Sequence, residues 1–189
     1  MAKFWEREPS LLLCPNTPKP LHGVTPRTIL GSSWWNKERR AAYASTNHRC
    51  KACGVPSAKA MFHKWLEGHE WYDIDYMEGT ATYIRTVPLC HSCHNYIHDG
   101  RMSTLLDLGK IPHAKYAKII MHGDRVLADA GLSKPSMEQR ELEFLHMERA
   151  GVVADWSDWR LILNGVEYPP KFSSLSEYLA YWERKNREY

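Results

Sequence analysis

The spacing of apolar and polar residues changes several times along this chain. Residues 1–31 alternate short apolar pieces with proline and glycine, a composition that predicts an extended, irregular arm. Residues 33–45 place Trp and Ala side chains at helical spacing, and Ser33 can cap the first turn, so a helix is predicted there. Residues 62–89 are rich in aromatic and β-branched side chains, with the turn-forming letters MEGT between two runs, and predict an antiparallel hairpin.

Helical spacing returns after the hairpin. The stretch LCHSCHNYIHDGR, residues 89–101, predicts a tight turn followed by a short helix that ends near its glycine. Residues 103–151 predict three more helices, the last with a proline near its start and a glycine beyond its end. The tail predicts a hairpin around the Asn-Gly pair at 164–165, then an amphipathic helix capped by Ser174 or Ser176.

Composition limits the class of protein. The chain has 189 residues, of which 43% are hydrophobic, and this suffices for one ordinary domain with additions or for two small ones. A negative mean hydropathy and the lack of a long apolar run exclude a transmembrane helix. Only Leu11–Leu13 is apolar near the N-terminus, too short for a secretion signal, so we expect a cytoplasmic protein with reduced thiols.

Four of the five cysteines form two C-x-x-C pairs. In a reducing compartment such pairs are typical of metal ligands, and an odd number of cysteines argues against a disulfide framework. Zinc prefers four thiolate or imidazole ligands in a tetrahedron, and each C-x-x-C turn supplies two. We therefore predict one structural zinc bound by Cys50, Cys53, Cys90 and Cys93, with residues 54–89 as the excursion between the pairs. The alternative is two unrelated thiol pairs.

A second candidate site is built from histidines. His69 and Glu70 lie in the first predicted strand, and His94 and His98 stand four apart on the helix after the second cysteine pair. Residues at this spacing share a helix face, so His94 and His98 can bind one ion. A nearby imidazole can accept a proton from water while the ion offsets the charge that grows on a phosphate. In the alternative, His94 supports the zinc site and His98 packs or hydrogen-bonds.

These residues resemble a known family. The order CKACG, LEGHEWYDIDY, VPLCHSCHNYIH, within residues 45–101, is similar to the HNH, or ββα-metal, endonucleases whose active site is flanked by a zinc ribbon. The resemblance implies a nuclease that cuts DNA phosphodiester bonds with a divalent ion held between hairpin and helix. It implies His69 as general base, and His94 and His98 as ligands of a catalytic Mg²⁺, Mn²⁺ or Ni²⁺. Such enzymes are often carried by phages and mobile elements.

The chain departs from the family pattern at two places. Many members have an acidic residue or a histidine directly before the base, where it provides a metal ligand. This chain has Gly68 there, so Glu70 or Glu67 would have to provide that ligand instead. The family's middle asparagine has no clear counterpart before the second cysteine pair. The second hypothesis is therefore a zinc-stabilised module without catalysis that binds nucleic acid or a protein partner.

The full expectation is an α+β fold with a zinc-stabilised, treble-clef-like ββα-metal core. Its segments are an arm at 1–31, the zinc-bound domain at 32–102 and a mainly helical region at 103–189, which could contact a protein partner. The net charge is only +3, but basic residues cluster around the cysteines, as phosphate contact requires. The predicted DNA contacts are Arg39, Arg40, Lys51, Arg85 and Arg101.

Overall fold

The computed structural model describes residues 5–187. Among these residues the protein has an α+β fold with six α-helices and a four-stranded mixed sheet. The helices are α1 (Pro26–Ser45), α2 (His91–Ile97), α3 (Asp99–Asp107), α4 (His113–Ala128), α5 (Met137–Arg149) and α6 (Leu175–Arg187). The strands are β1 (Glu67–Asp75), β2 (Thr80–Leu89), β3 (Arg160–Leu163) and β4 (Val166–Tyr168). Residues 1–4 and 188–189, at the ends of the predicted arm and helical region, lie outside the described part.

The chain forms two compact units that do not follow chain order. The first combines the chain up to Asn16 with Asn36–Glu70 and Thr86–Glu141, and the second combines Thr17–Trp35, Trp71–Arg85 and the chain from Leu142 onward. The sequence predicted consecutive segments divided after residues 31 and 102. That division stays a prediction; α1, β1, β2 and α5 each have residues in both units.

The sheet has the strand order β1-β2-β3-β4. The predicted hairpin of β1 and β2 is confirmed, and its turn is fixed by Asp75, whose Oδ1 accepts hydrogen bonds from the backbone N–H of Met77 (2.9 Å) and Glu78 (3.0 Å). The predicted C-terminal hairpin is also confirmed as β3 and β4. The sequence did not predict that β3 pairs parallel to β2, with Thr80 opposite Arg160.

The irregular arm predicted at 1–31 ends earlier than expected, because a helix begins before residue 31. Residues 5–25 are irregular apart from the short 3₁₀ turns Pro9–Leu13 and Lys19–Leu21, but α1 begins at Pro26 rather than near Ser33. Thr25 caps the new start: its Oγ1 accepts from Thr28 N (3.2 Å), and Thr28 Oγ1 accepts from Thr25 N (2.9 Å). Gly31, at φ +81°, interrupts the helix, so the piece that follows it begins close to the predicted start near Ser33.

The second unit has its own apolar core. Trp159, only 2% exposed, packs with Leu21, Ala81 and Leu161.

At the start of α6, Ser174 Oγ accepts from Glu177 N at 3.3 Å, as a helix cap does.

In the first unit, α2 packs against α4 and against the turn Pro9–Leu13. The crossing of α2 and α4 is close because Gly123 has no side chain: a Cβ there would lie 2.1 Å from Tyr96 Cδ2. The Tyr96 hydroxyl also donates to Asp124 Oδ1 at 2.8 Å. These contacts fix the helix that carries Cys93 and His94. None of the helices within residues 5–187 combines the length and apolar character needed to cross a bilayer.

Candidate metal centre

The first C-x-x-C pair lies in a tight backbone turn. Gly54 N donates to Cys50 O at 2.8 Å, and Gly54 adopts φ +81°, a conformation that favours glycine. Lys51 N donates to Pro88 O at 2.8 Å, which joins this turn to the end of β2, directly before Cys90. Two segments far apart in sequence are thereby held side by side.

The four predicted zinc ligands come together. Ligand atoms of Cys50, Cys53, Cys90 and Cys93 all lie within 4.8 Å of one another, and three of the four residues are buried. The Sγ atoms of Cys53 and Cys90 are 3.8 Å apart. A tetrahedron with Zn–S bonds of about 2.3 Å has edges of about 3.8 Å, so the cluster is consistent with a structural zinc site.

The four thiols also influence one another electrostatically. The hydrogen bond with Cys50 lowers the pKa of Cys53, whereas the hydrogen bond of Cys90 with Cys50 raises the pKa of Cys90. Four thiolates this close together need a cation to balance their charge. His122 of α4, which the sequence did not single out, lies with Nε2 3.4 Å from Cys93 Sγ, where it can donate to a thiolate.

A group of three histidines also forms. Ligand atoms of His69 on β1, His94 on α2 and His98 at the end of α2 lie within 4.8 Å of one another. The ring centroids are 5.5 Å apart for His69 and His94, 5.1 Å for His69 and His98, and 4.9 Å for His94 and His98. These are the three histidines that sequence analysis selected. Three imidazoles grouped in this way could hold one cation.

Glu67 orients the imidazole of His94. Successive β-strand residues alternate between faces, so Glu67 shares its face of β1 with His69. Its Oε2 accepts from His94 Nδ1 at 2.6 Å, and its Oε1 accepts from His91 Nδ1 at 2.7 Å. Because the carboxylate can only accept, the Nδ1 of His94 carries the proton and Nε2 is available to a cation. Carboxylates often hold metal-binding histidines in this way.

The surroundings of Glu67, His69 and His98 shift their pKa values toward the protonation states that bind a cation. Burial alone would raise the pKa of Glu67, but its hydrogen bonds with His91 and His94 outweigh that effect and hold the pKa well below its usual range. Burial, with the charges of His94 and His98, lowers the pKa of His69 to about 3. Burial, with the charges of His94 and Arg101, lowers the pKa of His98 to about 4. A carboxylate beside neutral imidazoles is the protonation state that metal binding requires.

The C-terminal end of α2 is tied down next to His98. Lys134 Nζ donates to Tyr96 O at 2.9 Å and forms an ion pair with Asp99 at 3.0 Å. Asp99 also pairs with Arg140. A lysine at helix-terminal carbonyls satisfies acceptors that the helix leaves unused.

Other predicted residues lie apart from the histidine group. Glu70 follows His69 on β1 and belongs to no ligand group in the described part of the chain, where the carboxylate beside the histidines is Glu67. Arg39 and Lys51, both predicted DNA contacts, donate hydrogen bonds within the protein. Arg39 Nε donates to Asn36 at 2.9 Å, and Lys51 Nζ donates to a backbone carbonyl at 2.7 Å.

The remaining basic residues differ in their surroundings. Arg40 and Arg101 are exposed, and Arg101 is close enough to His98 for its charge to influence that imidazole. Arg85 belongs to the second unit, where its guanidinium lies over the Trp71 ring, 4.4 Å from the centroid. Of these residues, Arg101 is the exposed cation that lies near the histidine group.

Two further histidines, to which the sequence analysis gave no role, lie close to Glu67. His91 and His63, together with Glu67, form a third group whose ligand atoms lie within 4.8 Å of one another. Sequence spacing could point to His91, which lies beside Cys90, but not to His63, which precedes β1.

Comparisons with protein-family models, with curated proteins and with solved structures find no match to this chain.

Proposed function

We propose that this protein is a metal-dependent endonuclease that hydrolyses DNA phosphodiester bonds, with a ββα-metal, treble-clef-like core of the HNH type. The single observation that carries the proposal is the convergence of His69, His94 and His98 beside the four-cysteine cluster. Strand β1 supplies one imidazole and α2 supplies the other two, as the resemblance implied. The support for the proposal is this grouping of three imidazoles.

In this proposal the three imidazoles hold one divalent ion. We assign His69 the role of third ligand, whereas the resemblance implied a general base. The reason is that His69 is only 7% exposed and lies as close to His98 as to His94. Three nitrogen ligands suit Zn²⁺ or Ni²⁺ better than Mg²⁺, which prefers oxygen. When bound, such an ion lowers the pKa of a water in its open position and offsets charge on the phosphate.

The surrounding residues prepare the site for a phosphodiester. Glu67 fixes the tautomer and orientation of His94 through the 2.6 Å hydrogen bond. Arg101 is exposed near His98 and can contact a DNA phosphate, which positions the backbone without reading its sequence.

The test is nicking of supercoiled plasmid with Ni²⁺, Zn²⁺, Mn²⁺ or Mg²⁺ added to protein that carries its structural zinc. We expect cleavage with Ni²⁺ or Zn²⁺, and loss of cleavage in His98→Ala. Glu67→Gln should slow cleavage by about 10- to 100-fold, the usual cost of losing an orienting partner of a ligand. His146→Ala, at an exposed position of α5, is the matched control and should cleave normally.

Metal content separates the two roles of His69. If it is a ligand, His69→Ala reduces the bound catalytic ion; if it is the base, cleavage falls while the ion stays at full occupancy. A wild-type protein that retains zinc and binds DNA or a protein, but nicks nothing with any of the four ions, would support the binding-module hypothesis instead.

A further inference from the structure

Beside the three-histidine group lies a second set of ligands, of which the proposed function uses only Glu67. His63 precedes β1, Glu67 opens β1, and His91 is the first residue of α2. Their candidate ligand atoms lie within 4.8 Å of one another, the same limit that holds for the other two groups. Two imidazoles and one carboxylate form a donor set typical of transition-metal sites.

Glu67 connects this set to the three-histidine group. Its Oε2 is 2.6 Å from His94, which belongs to the first group, and its Oε1 is 2.7 Å from His91, which belongs to the second. Each oxygen of one carboxylate thus serves a different group. Through Oε2 the carboxylate orients a ligand of the first group, while Oε1 can coordinate an ion in the second group.

The distance between Glu67 and His91 fits coordination as well as hydrogen bonding. Two ligands at about 2.0–2.1 Å from one ion and at right angles are about 2.9 Å apart, close to the observed 2.7 Å. A neutral His91 can carry its proton on Nε2 instead of Nδ1, and Nδ1 then becomes a donor to a cation. A cation can therefore replace the shared proton with little movement of either side chain.

The third ligand is held in place by its neighbours. The His63 ring stacks on Trp65, with centroids 4.3 Å apart and planes at 14°, and it meets the His91 ring edge-on at 4.3 Å. Phe62 packs edge-on against His91 from the adjoining position, at 5.5 Å. The His63 imidazole is half-buried and already next to His91, so binding an ion would order few additional groups.

We propose that His63, Glu67 and His91 form a second transition-metal site, adjacent to the three-histidine site and linked to it through the Glu67 carboxylate. The chain then binds one structural zinc at the cysteines and two further divalent ions at the histidines. This proposal does not depend on nuclease activity, because it concerns only how many ions the folded chain binds.

The experiment counts Ni²⁺ on the full chain. Protein carrying one zinc is equilibrated with a range of Ni²⁺ concentrations by dialysis, and both metals are measured by mass spectrometry. We expect two Ni²⁺ per wild-type chain, one for His63→Ala, one for His98→Ala and none for the double variant. His146→Ala, exposed on α5, should still bind two.

The outcomes are distinguishable. A wild-type count of one that His98→Ala removes and His63→Ala leaves intact would overturn the second site while keeping the first. An unchanged count of two in His63→Ala would also overturn it. Circular dichroism and zinc content verify that each variant is folded, and His63→Asn replaces His63→Ala if the latter is not. Because DNA cleavage is not measured, a failure here is separate from a failure of the proposed function.

Discussion

The contact between α2 and α4 allows a quantitative prediction from one glycine. Gly123 lies on α4 against the face of Tyr96, and a Cβ at this position would be 2.1, 2.2 and 2.4 Å from Tyr96 Cδ2, Cγ and Cε2. Carbon atoms in contact are normally about 3.5–4.0 Å apart, so Gly123→Ala creates an overlap of about 1.5 Å. Tyr96 is 3% exposed and is hydrogen-bonded to Asp124, so its ring has no free space to occupy.

The expected cost combines two opposing effects. Overpacking a well-packed core costs about 1–3 kcal/mol, and an overlap with three ring atoms belongs at the upper end of that range. Replacing a helical glycine by alanine contributes about 1 kcal/mol of stability through helix propensity. The net loss in free energy of unfolding is about 2 kcal/mol. For a chain of this size, that corresponds to a Tm lower by about 4–8 °C.

The assay is thermal unfolding of the zinc-loaded protein, with Gly100→Ala as the control. Gly100 is also helical, but the closest atom to its Cβ would be Met137 Sδ at 3.9 Å, an ordinary contact. Gly100→Ala should therefore leave Tm unchanged or raise it slightly. Equal Tm values for the two variants would refute the close packing of α2 on α4. Faster zinc loss to a chelator in Gly123→Ala would show that the strain reaches Cys93.

Three further predictions concern other parts of the molecule. Cys53→Ser should release the zinc and give a largely unfolded chain, measured by metal analysis and circular dichroism; a folded variant with full zinc would contradict the site. Arg101→Ala should lower the slope of log affinity for a DNA duplex against log salt by about 0.9, whereas the equally exposed Arg149→Ala should not, as measured over a salt series. His22→Gln should make the free energy of unfolding fall less between pH 8 and pH 5.5 than it falls in the wild-type protein. Burial lowers the pKa of His22, so the stability tied to its neutral form is complete above the unfolded pKa, about 6.5, and declines as pH falls below it. Urea unfolding at pH 8 and pH 5.5 checks this, and equal pH dependence in both proteins would exclude the effect.

The prediction for His22 follows from its hydrogen bonds. Nε2 is 3.0 Å from the Thr17 carbonyl, which can only accept, so Nε2 carries the proton. Nδ1 is then the acceptor for the Tyr178 hydroxyl at 2.8 Å. A second proton on His22 would remove that acceptor while the ring is buried, and it is the unfolded chain that binds this proton more readily.

The sequence predicted the parts of the fold that depend on local signals. The hairpin of β1 and β2 was visible because β-branched residues flank a turn, and both cysteine pairs were visible from their spacing. His94 and His98 were selected because residues four apart share a helix face. His69 was selected by the resemblance, and the three imidazoles do converge.

Features that depend on long-range packing could not be predicted in the same way. The parallel pairing of β3 with β2 joins residues about eighty positions apart, and neither strand carries a local signal for it. The carboxylate beside the histidines is Glu67 rather than Glu70, a choice decided by which face of β1 is turned toward α2. His63 lies in an irregular segment, so no periodicity indicates which way it faces.

The two kinds of metal ligand depend on one another through α2. This helix has only seven residues, too few to be stable alone in water. Cys90 and Cys93 hold its first turn, while Lys134 binds the carbonyl of Tyr96 near its end. The positions of the imidazoles on α2 therefore depend on the cysteine cluster at one end, the lysine at the other and the packing on α4. Because Cys93 and His94 lie on the same short helix, we expect loss of the structural zinc to abolish Ni²⁺ binding at the histidines as well.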